Sequence, residues 1–299
     1  MTKFTEHRAH PRTIEKDIVV LYHAECTDGF GAAWAAWRHL GDRAQYVPVE
    51  HQHGVPEGLE GRTIYTIDFT YPREATERLM RTAKRLTSID HHISAAETTR
   101  ITQDGVFDNE HSGAMLAWRY FHPDEEPPFL IHIIEDQDLH RFAIPETEVI
   151  SEWLDLFDFS FEEYSRIAEL LDSADGRARI IQEGALIRRY HDKLVERLVV
   201  NTAYDVRFEE YRARAANTEQ FHSEIATALA ERADFGIAWR QRPGGVYVSL
   251  RSDGRVDVSK VAARYGGGGH AKASGFTVPT TADLPFEMIQ DDEKSKRTS

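Results

Sequence analysis

The run DIVVLYH at 17–23 passes without a break into ECTDGFGAAWAAWRHLG, and that junction limits the architectures open to the chain. A stretch of apolar, β-branched residues reads as a strand buried on both faces. Gly29 and Gly31 mark the turn that follows. Phe30, Ala33, Trp34 and Trp37 then recur at helical spacing until Gly41 closes the segment. Further strand-like runs lie at 44–47, 63–67 and 85–89, with a helical stretch at 71–84 between the last two. Strands alternating with helices predict parallel βαβ units, whose functional groups gather at the carboxyl ends of the strands.

From about 110 to 200 the strand signal fades, and helices are expected at 112–121, 128–135, 147–156, 161–171 and 176–198. Strand patterns return at 204–208 and 211–215, followed by a helix at 221–230. A hairpin of 235–240 with 246–251 turns at Pro243-Gly244-Gly245, a short helix covers 258–265, and a last strand lies at 276–279. A chain of 299 residues fits two domains. The expected division is an α/β parallel-sheet domain at 17–190, a connecting helix or linker at 191–202, and a smaller α/β substrate-binding domain at 203–282, with a cleft between the two domains. Residues 1–16 and 283–299 are polar enough to read as disordered tails.

Composition excludes some classes. No apolar run approaches the roughly 18–20 residues of a membrane span, and the N-terminal stretch lacks the apolar core of a signal peptide. A single cysteine, Cys26, makes no internal disulfide. Both features lead to the expectation of a cytoplasmic protein. With 36 Lys+Arg against 50 Asp+Glu the net charge is −14. That field argues against wrapping long duplex DNA, and leaves room for a small anionic substrate held by metal ions and a local basic patch.

Four clusters of acidic residues and histidine fall where elements should end: His23 to Asp28 after the first strand, Asp68 closing TIYTID, Asp90-His91-His92 closing RLTSID, and Glu135-Asp136-Gln137-Asp138 after FLIHII. Singly each has an ordinary explanation, since an Asp at a strand end often caps the next helix. Together they have a stricter one. Parallel strands bring three of the clusters to one rim, and several carboxylates share a pocket only when protons or cations neutralise them. Mixed carboxylate and imidazole donors without a cysteine cluster disfavour structural zinc and suit Mn²⁺, with Co²⁺ or Mg²⁺ as alternatives. More acidic groups than one ion needs suggest two divalent metal ions, about 3.5–4 Å apart, the arrangement of a two-metal phosphoesterase.

The literal Asp-His-His triplet, the first motif, the strand-end Asp68 and the later acidic motif resemble the DHH phosphoesterases. The segment Gly267-Gly268-Gly269-His270 with Ala273 and Gly275 resembles the GGGH signature of their associated C-terminal domain, about 175 residues beyond the triplet. YHAECTDGFGAAW looks most like the oligoribonuclease (nanoRNase B-like) branch. The resemblance implies that His23, Cys26, Asp28, Asp68, His91 and Asp136 hold the metals, with Asp68 bridging both ions and Asp138 the runner-up to Asp136. It implies that Asp90 orients an imidazole while His92 faces the substrate phosphate. Cys26 stands where most of the family has an Asp. It is read either as a thiolate ligand or as a small packed residue beside a weakened site.

Four consecutive glycines, Gly266 to Gly269, read as a loop whose N–H groups can approach an anion. Between Gly236 and Gly275 seven basic residues face only Asp253 and Asp257. By the resemblance, Gly267, Gly268, Gly269 and His270 hold a terminal nucleotide and Arg251 contacts its phosphate. His51 and His53 read as surface residues, Ser112 as a helix cap, and Trp34, Trp37 and Trp118 as core. The expected activity is hydrolysis of short single-stranded oligoribonucleotides to nucleoside 5′-monophosphates through a hydroxide bridging two metals. The alternatives are hydrolysis of linear or cyclic dinucleotides or of adenosine 3′,5′-bisphosphate, and a non-catalytic nucleotide sensor with a defective metal site. Polarity of cleavage and oligomeric state are left open.

Overall fold

The computed structural model describes residues 13–24, 26–50 and 54–289; Glu25, His51 and His53 lie outside them. Two compact units divide the chain, Met1–Arg188 and Arg189–Ser299. The first opens with β1 (Ile18–His23), α1 (Thr27–Leu40), β2 (Ala44–Val49) and β3 (Thr63–Ile67). It continues through α2 (Arg73–Thr82), β4 (Arg85–Asp90), α3 (Ala96–Arg100) and β5 (Val106–Phe107). Its five strands are all parallel, in the order β2-β1-β3-β4-β5. From β1 the chain runs out to β2 on one side and returns to β3 on the other. A sheet of this kind opens a crevice at the carboxyl ends of its strands where the order reverses, here between β1 and β3.

Alternation along β1 shows why that strand had to be apolar throughout. Val19 and Leu21 join the α2 face with Ile64, Leu79 and Leu86, while Val20 joins Ile67 and Ile89 on the opposite face. That opposite face is covered by α1 and by a helical layer: α4 (Gly113–Phe121), α5 (Phe129–Asp138), α6 (Thr147–Leu154) and α7 (Phe161–Asp172). Trp34 and Trp118 are buried there with their rings 5.6 Å apart, and Trp37 is packed at the margin. Ser112 caps α4 by accepting from the Met115 N–H.

A long helix, α8 (Ala174–Thr202), runs through the boundary between the units as one element. The second unit follows with β6 (Tyr204–Phe208), β7 (Tyr211–Asn217), α9 (His222–Ala230), β8 (Gly236–Arg242) and β9 (Gly245–Arg251). It closes with α10 (Val258–Ala263), β10 (Gly268–His270), β11 (Ala273–Val278) and β12 (Glu287–Met288). The strand order is β10-β11-β9-β8-β7-β6-β12, antiparallel except for β7 with β8. Phe208, Ile237, Val248, Leu250 and Phe276 pack with Val258 and Val261 of α10. Ile225 and Leu229 of α9 pack with Ala216 and the end of α8. No helix among the described residues is long and apolar enough to cross a membrane.

The structure corrects the expected tails and glycine loop and shows the connecting segment as helix. Ile14 is buried against the α2 face, and the Glu15 N–H donates to Gln45 Oε1. The polar tail at 1–16 therefore does not extend over 13–16. At the other end Leu284 and Phe286 pack against the second core, β12 pairs with β6, and the Ile289 N–H donates to Asp205. The tail expected at 283–299 is thus fixed through 289 by single apolar residues in a polar stretch, too few to show a period. Residues 191–202 are continuous helix. Gly268–His270 is an edge strand rather than an open loop, because glycine alone permits its approach to β11.

Candidate metal centre and glycine-rich edge

The carboxyl ends of β1, β3 and β4 carry His23, Asp68 and Asp90-His91-His92, as parallel pairing requires. Gly29 lets α1 start directly above β1: a Cβ there would lie 2.3 Å from the His23 carbonyl oxygen. This sets Asp28, in the first turn of α1, beneath the N-terminus of α4, where it accepts from the N–H groups of Gly113 (2.6 Å) and Ala114 (2.9 Å). A Cβ on Gly113 would stand 2.7 Å from Asp68 Oδ1 and 2.9 Å from Asp28 Oδ2, so glycine is what lets the two carboxylates meet. Asp68 adopts φ +61°, in the left-handed region that Asp tolerates better than most residues.

Asp68 is the hub. Its Oδ2 is 3.3 Å from His23 Nδ1 and its Oδ1 3.3 Å from His91 Nε2; His91 Nε2 is in turn 3.8 Å from Asp28 Oδ2 and 3.7 Å from Asp138 Oδ2. Three groups bring donor atoms within 4.8 Å of one another: His23, Cys26 and Asp68; Asp68, His91 and His92; Asp28, His91 and Asp138. Asp68 and His91 are each shared by two groups. Buried Asp68 Oδ1, Asp90 Oδ2 and Asp138 Oδ2 accept no hydrogen bond from the described chain. Two of the three, on Asp68 and Asp138, belong to the donor groups, and unsatisfied buried carboxylate oxygens are costly unless a cation meets them.

The electrostatics point the same way. Burial, then repulsion from Asp68 and Asp138, pushes the Asp28 carboxyl well above the usual carboxylate range. Burial, reinforced by Asp68, raises Asp138 despite the attraction of His91. Burial also works to raise Asp68, but the His23 and His91 side chains outweigh it and hold the group at about 2. Burial, with Asp68 next, pushes the Cys26 thiol up to about 12. The raised carboxyls of Asp28 and Asp138 favour their protonated forms in the chain alone; the oxygen, nitrogen and single sulfur donors fit divalent cations that would replace those protons. Asp90 orients His92 rather than His91: its Oδ1 accepts from the His92 N–H at 3.0 Å and lies 2.8 Å from Nδ1. That hydrogen bond, above all, raises the His92 pKa and favours the imidazolium.

At the fourth cluster the geometry reverses the order of preference. Asp136 Oδ1 accepts from the Ala143 N–H, and Oδ2 from the Ile144 N–H and the Thr147 hydroxyl. Its carboxylate fastens the chain after α5 and lies in none of the three donor groups, whereas Asp138 does. Glu135 is bound nearby to the Ser112 N–H at 3.1 Å, with His111 Nδ1 at 3.0 Å and Arg141 at 3.5 Å. The expected set omits His111 and the N–H groups of Gly113 and Ala114. The Ser-Gly pair opening α4 was the available signal for the latter; nothing in the sequence marks His111.

In the second unit, Arg251, Ala273 and His270 stand opposite one another across β9, β11 and β10, on one face of the sheet, with only a methyl group between Arg251 and His270. Arg251 donates through Nε to Ser223 Oγ (3.0 Å) and through Nη1 to the Leu250 carbonyl; neither bond uses Nη2. Three of the four glycines serve the fold. Gly266 has φ +75°, a Cβ on Gly267 would lie 2.1 Å from the Gly275 carbonyl oxygen, and one on Gly269 would lie 2.6 Å from that of Ala273. Gly268 alone of the four combines open space at its Cβ position with a φ outside the left-handed region. A cavity of about 370 Å³ adjoins them, lined by Arg240, Tyr247, Ser249, Gly267 and Thr277.

Comparison with known proteins finds a family match in the second unit and several more distant relatives. Residues 211–289 match the family model described as the DHHA1 domain. An uncharacterized protein of Acanthamoeba polyphaga mimivirus is 29% identical over 303 residues, covering 91% of this chain and 70% of that one. The oligoribonuclease NrnB of Bacillus subtilis is 30% identical over 134 residues, which cover 44% of this chain and 29% of NrnB. Among solved structures, the pGpG-specific phosphodiesterase PggH of Vibrio cholerae superposes with a TM-score of 0.49 at 15% identity, over 88% of this chain and 94% of that one. Residues 211–289 are thus a DHHA1 domain, in one polypeptide with the Asp-His-His strand end.

Proposed function

We propose that this chain is a phosphodiesterase that uses two divalent metal ions, Mn²⁺ first, to hydrolyse short oligoribonucleotides to nucleoside 5′-monophosphates. The observation that carries the reading is the set of overlapping donor groups centred on Asp68, with two buried carboxylate oxygens, on Asp68 and Asp138, that the described chain leaves unsatisfied. His23, Cys26 and Asp68 would hold one ion; Asp28, His91 and Asp138, with Asp68 shared, would hold the other. Such ions activate water near neutral pH and offset charge developing on phosphorus. The chain's own groups do the rest. The α4 N-terminus fixes Asp28, and the Asp90 carboxylate aims His92 and favours its imidazolium form, a donor suited to a phosphate oxygen. In the C-terminal unit, Arg251, His270 and the open Gly268 edge offer donors to a further substrate phosphate.

The test is incubation of purified protein with end-labelled RNA and DNA tri- and pentanucleotides, linear and cyclic dinucleotides, and adenosine 3′,5′-bisphosphate, each with Mn²⁺, Co²⁺ or EDTA. Metal-dependent mononucleotide release from RNA, lost in Asp68→Ala and His91→Ala, is the expected result. Turnover of the bisphosphate or of cyclic dinucleotides alone would move the substrate class. Nucleotide binding without turnover under any metal would leave a sensor in place of the enzyme.

A further inference from the structure

Among the described residues, five other than glycine have positive φ, and three of them are a candidate metal ligand or follow one closely in the chain: Asp68 (+61°), and His140 (+49°) and Phe142 (+47°) after Asp138. The last two belong to the loop that follows Asp138. An aromatic side chain in the left-handed region is an uncommon choice, and Gly or Asn would be easier there. The loop is nonetheless held hard. The Asp136 carbonyl accepts from the Arg141 and Phe142 N–H groups, its carboxylate takes the next two N–H groups and the Thr147 hydroxyl, and Arg141 donates to the Glu110 carbonyl. What this framework displays is apolar. The Phe142 side chain is 45% exposed, its ring 5.8 Å from that of His140, while Arg141 is turned away into its own bonds. Ile93, next after His92, is 76% exposed.

We propose that Phe142, backed by His140, is a stacking platform for the nucleobase adjoining the phosphodiester that the metal centre holds. The assignment rests on the phosphodiesterase reading above and adds a specificity-determining residue to it. A fixed, exposed, uncharged ring beside a phosphate-handling site suits the flat face common to all four bases, which gives affinity with little preference among sequences. The hydrogen bonds to Asp136 hold the strained backbone at Phe142, so the ring is kept in a fixed, exposed position instead of settling into the core.

The experiment compares 5′-phosphorylated diribonucleotides with two bases against analogues carrying one abasic ribose, in the wild-type chain and in Phe142→Ala, Phe142→Gly and Phe142→Trp. Truncation is expected to raise KM for the two-base substrate roughly 5- to 100-fold with kcat little changed, collapsing the preference over the abasic analogue. Phe142→Trp is expected to keep that preference. Phe142→Gly relieves the left-handed backbone, so a loss of preference without a fall in Tm separates stacking from a structural role. A second readout needs no turnover: quenching of a 2-aminopurine dinucleotide by Asp68→Asn, compared with Asp68→Asn combined with Phe142→Ala. Hydrolysis with undiminished base preference in Phe142→Ala would overturn the proposal and leave the phosphodiesterase reading intact. Quenching that depends on Phe142 in a protein that cleaves nothing would do the reverse.

Discussion

In the N-terminal unit Asp28, Asp68 and Asp90 are each no more than 1% exposed, and Asp68 and Asp90 each keep a buried oxygen that accepts no hydrogen bond from the described chain. In the C-terminal unit His270 and Lys272 lie on the surface and Arg251 at its margin, open to water. Buried like charges make the first site depend on what neutralises them, so its substitutions act through electrostatics. Solvated charges need no such partner, and the second site depends on how closely its backbone can pass, so its substitutions act through sterics. The two halves should therefore fail in different ways.

The largest expected effect belongs to the hub. Asp68→Ala should cut metal-dependent turnover by about a thousandfold or more, in the range lost when a centre of this kind loses its shared carboxylate. Mn²⁺ is expected to raise the Tm of the wild-type protein but not of this variant; calorimetry with and without EDTA reads that second effect. Next come two aspartates two residues apart. Asp138→Asn should weaken metal binding by roughly a hundredfold while leaving the metal-free protein as stable or slightly more so, because it removes one of the repelling carboxylates. Asp136→Asn should cost about 1–3 kcal/mol in denaturant melts with metal affinity nearly kept, since it breaks the fastening of residues 143–147. Equal effects in the two variants would erase the distinction between ligand and fastener.

The C-terminal half gives the smaller effects. Gly267→Ala should destabilise by about 1–3 kcal/mol, because its Cβ meets the Gly275 carbonyl and Phe276, whereas Gly268→Ala should melt like wild type. If Gly268→Ala also leaves substrate KM unchanged, the open edge plays no part in binding. Smallest of the series is Arg251→Lys, expected to raise KM by roughly tenfold and to steepen its salt dependence, since a lysine cannot bond Ser223 and a phosphate with one fork.

The same contrast explains what could be read from the sequence. The parallel sheet was legible because β1, buried on both faces, must be apolar throughout, and because chemistry on such a sheet falls at strand ends, where Asp68 and Asp90-His91-His92 were found. Asp136 and Asp138 could not be separated, because two positions on the last turn of one helix differ only in the direction they point. The glycine run showed its need for backbone freedom but not the reason, which is a neighbouring strand for Gly267 and Gly269. His140 and Phe142 left no mark at all: a left-handed backbone at a residue other than glycine is imposed by tertiary bonds, here those of Asp136.

Gly113 carries a consequence for how this centre can change over generations. Even alanine there would collide with both Asp68 and Asp28. Position 113 thus has no tolerated alternative while both carboxylates remain, yet once either is shortened or lost the constraint on it relaxes. Descendants that have drifted at 113 should be those that had already given up one of the two acids. The order of those losses is written into the spacing between a helix terminus and two side chains.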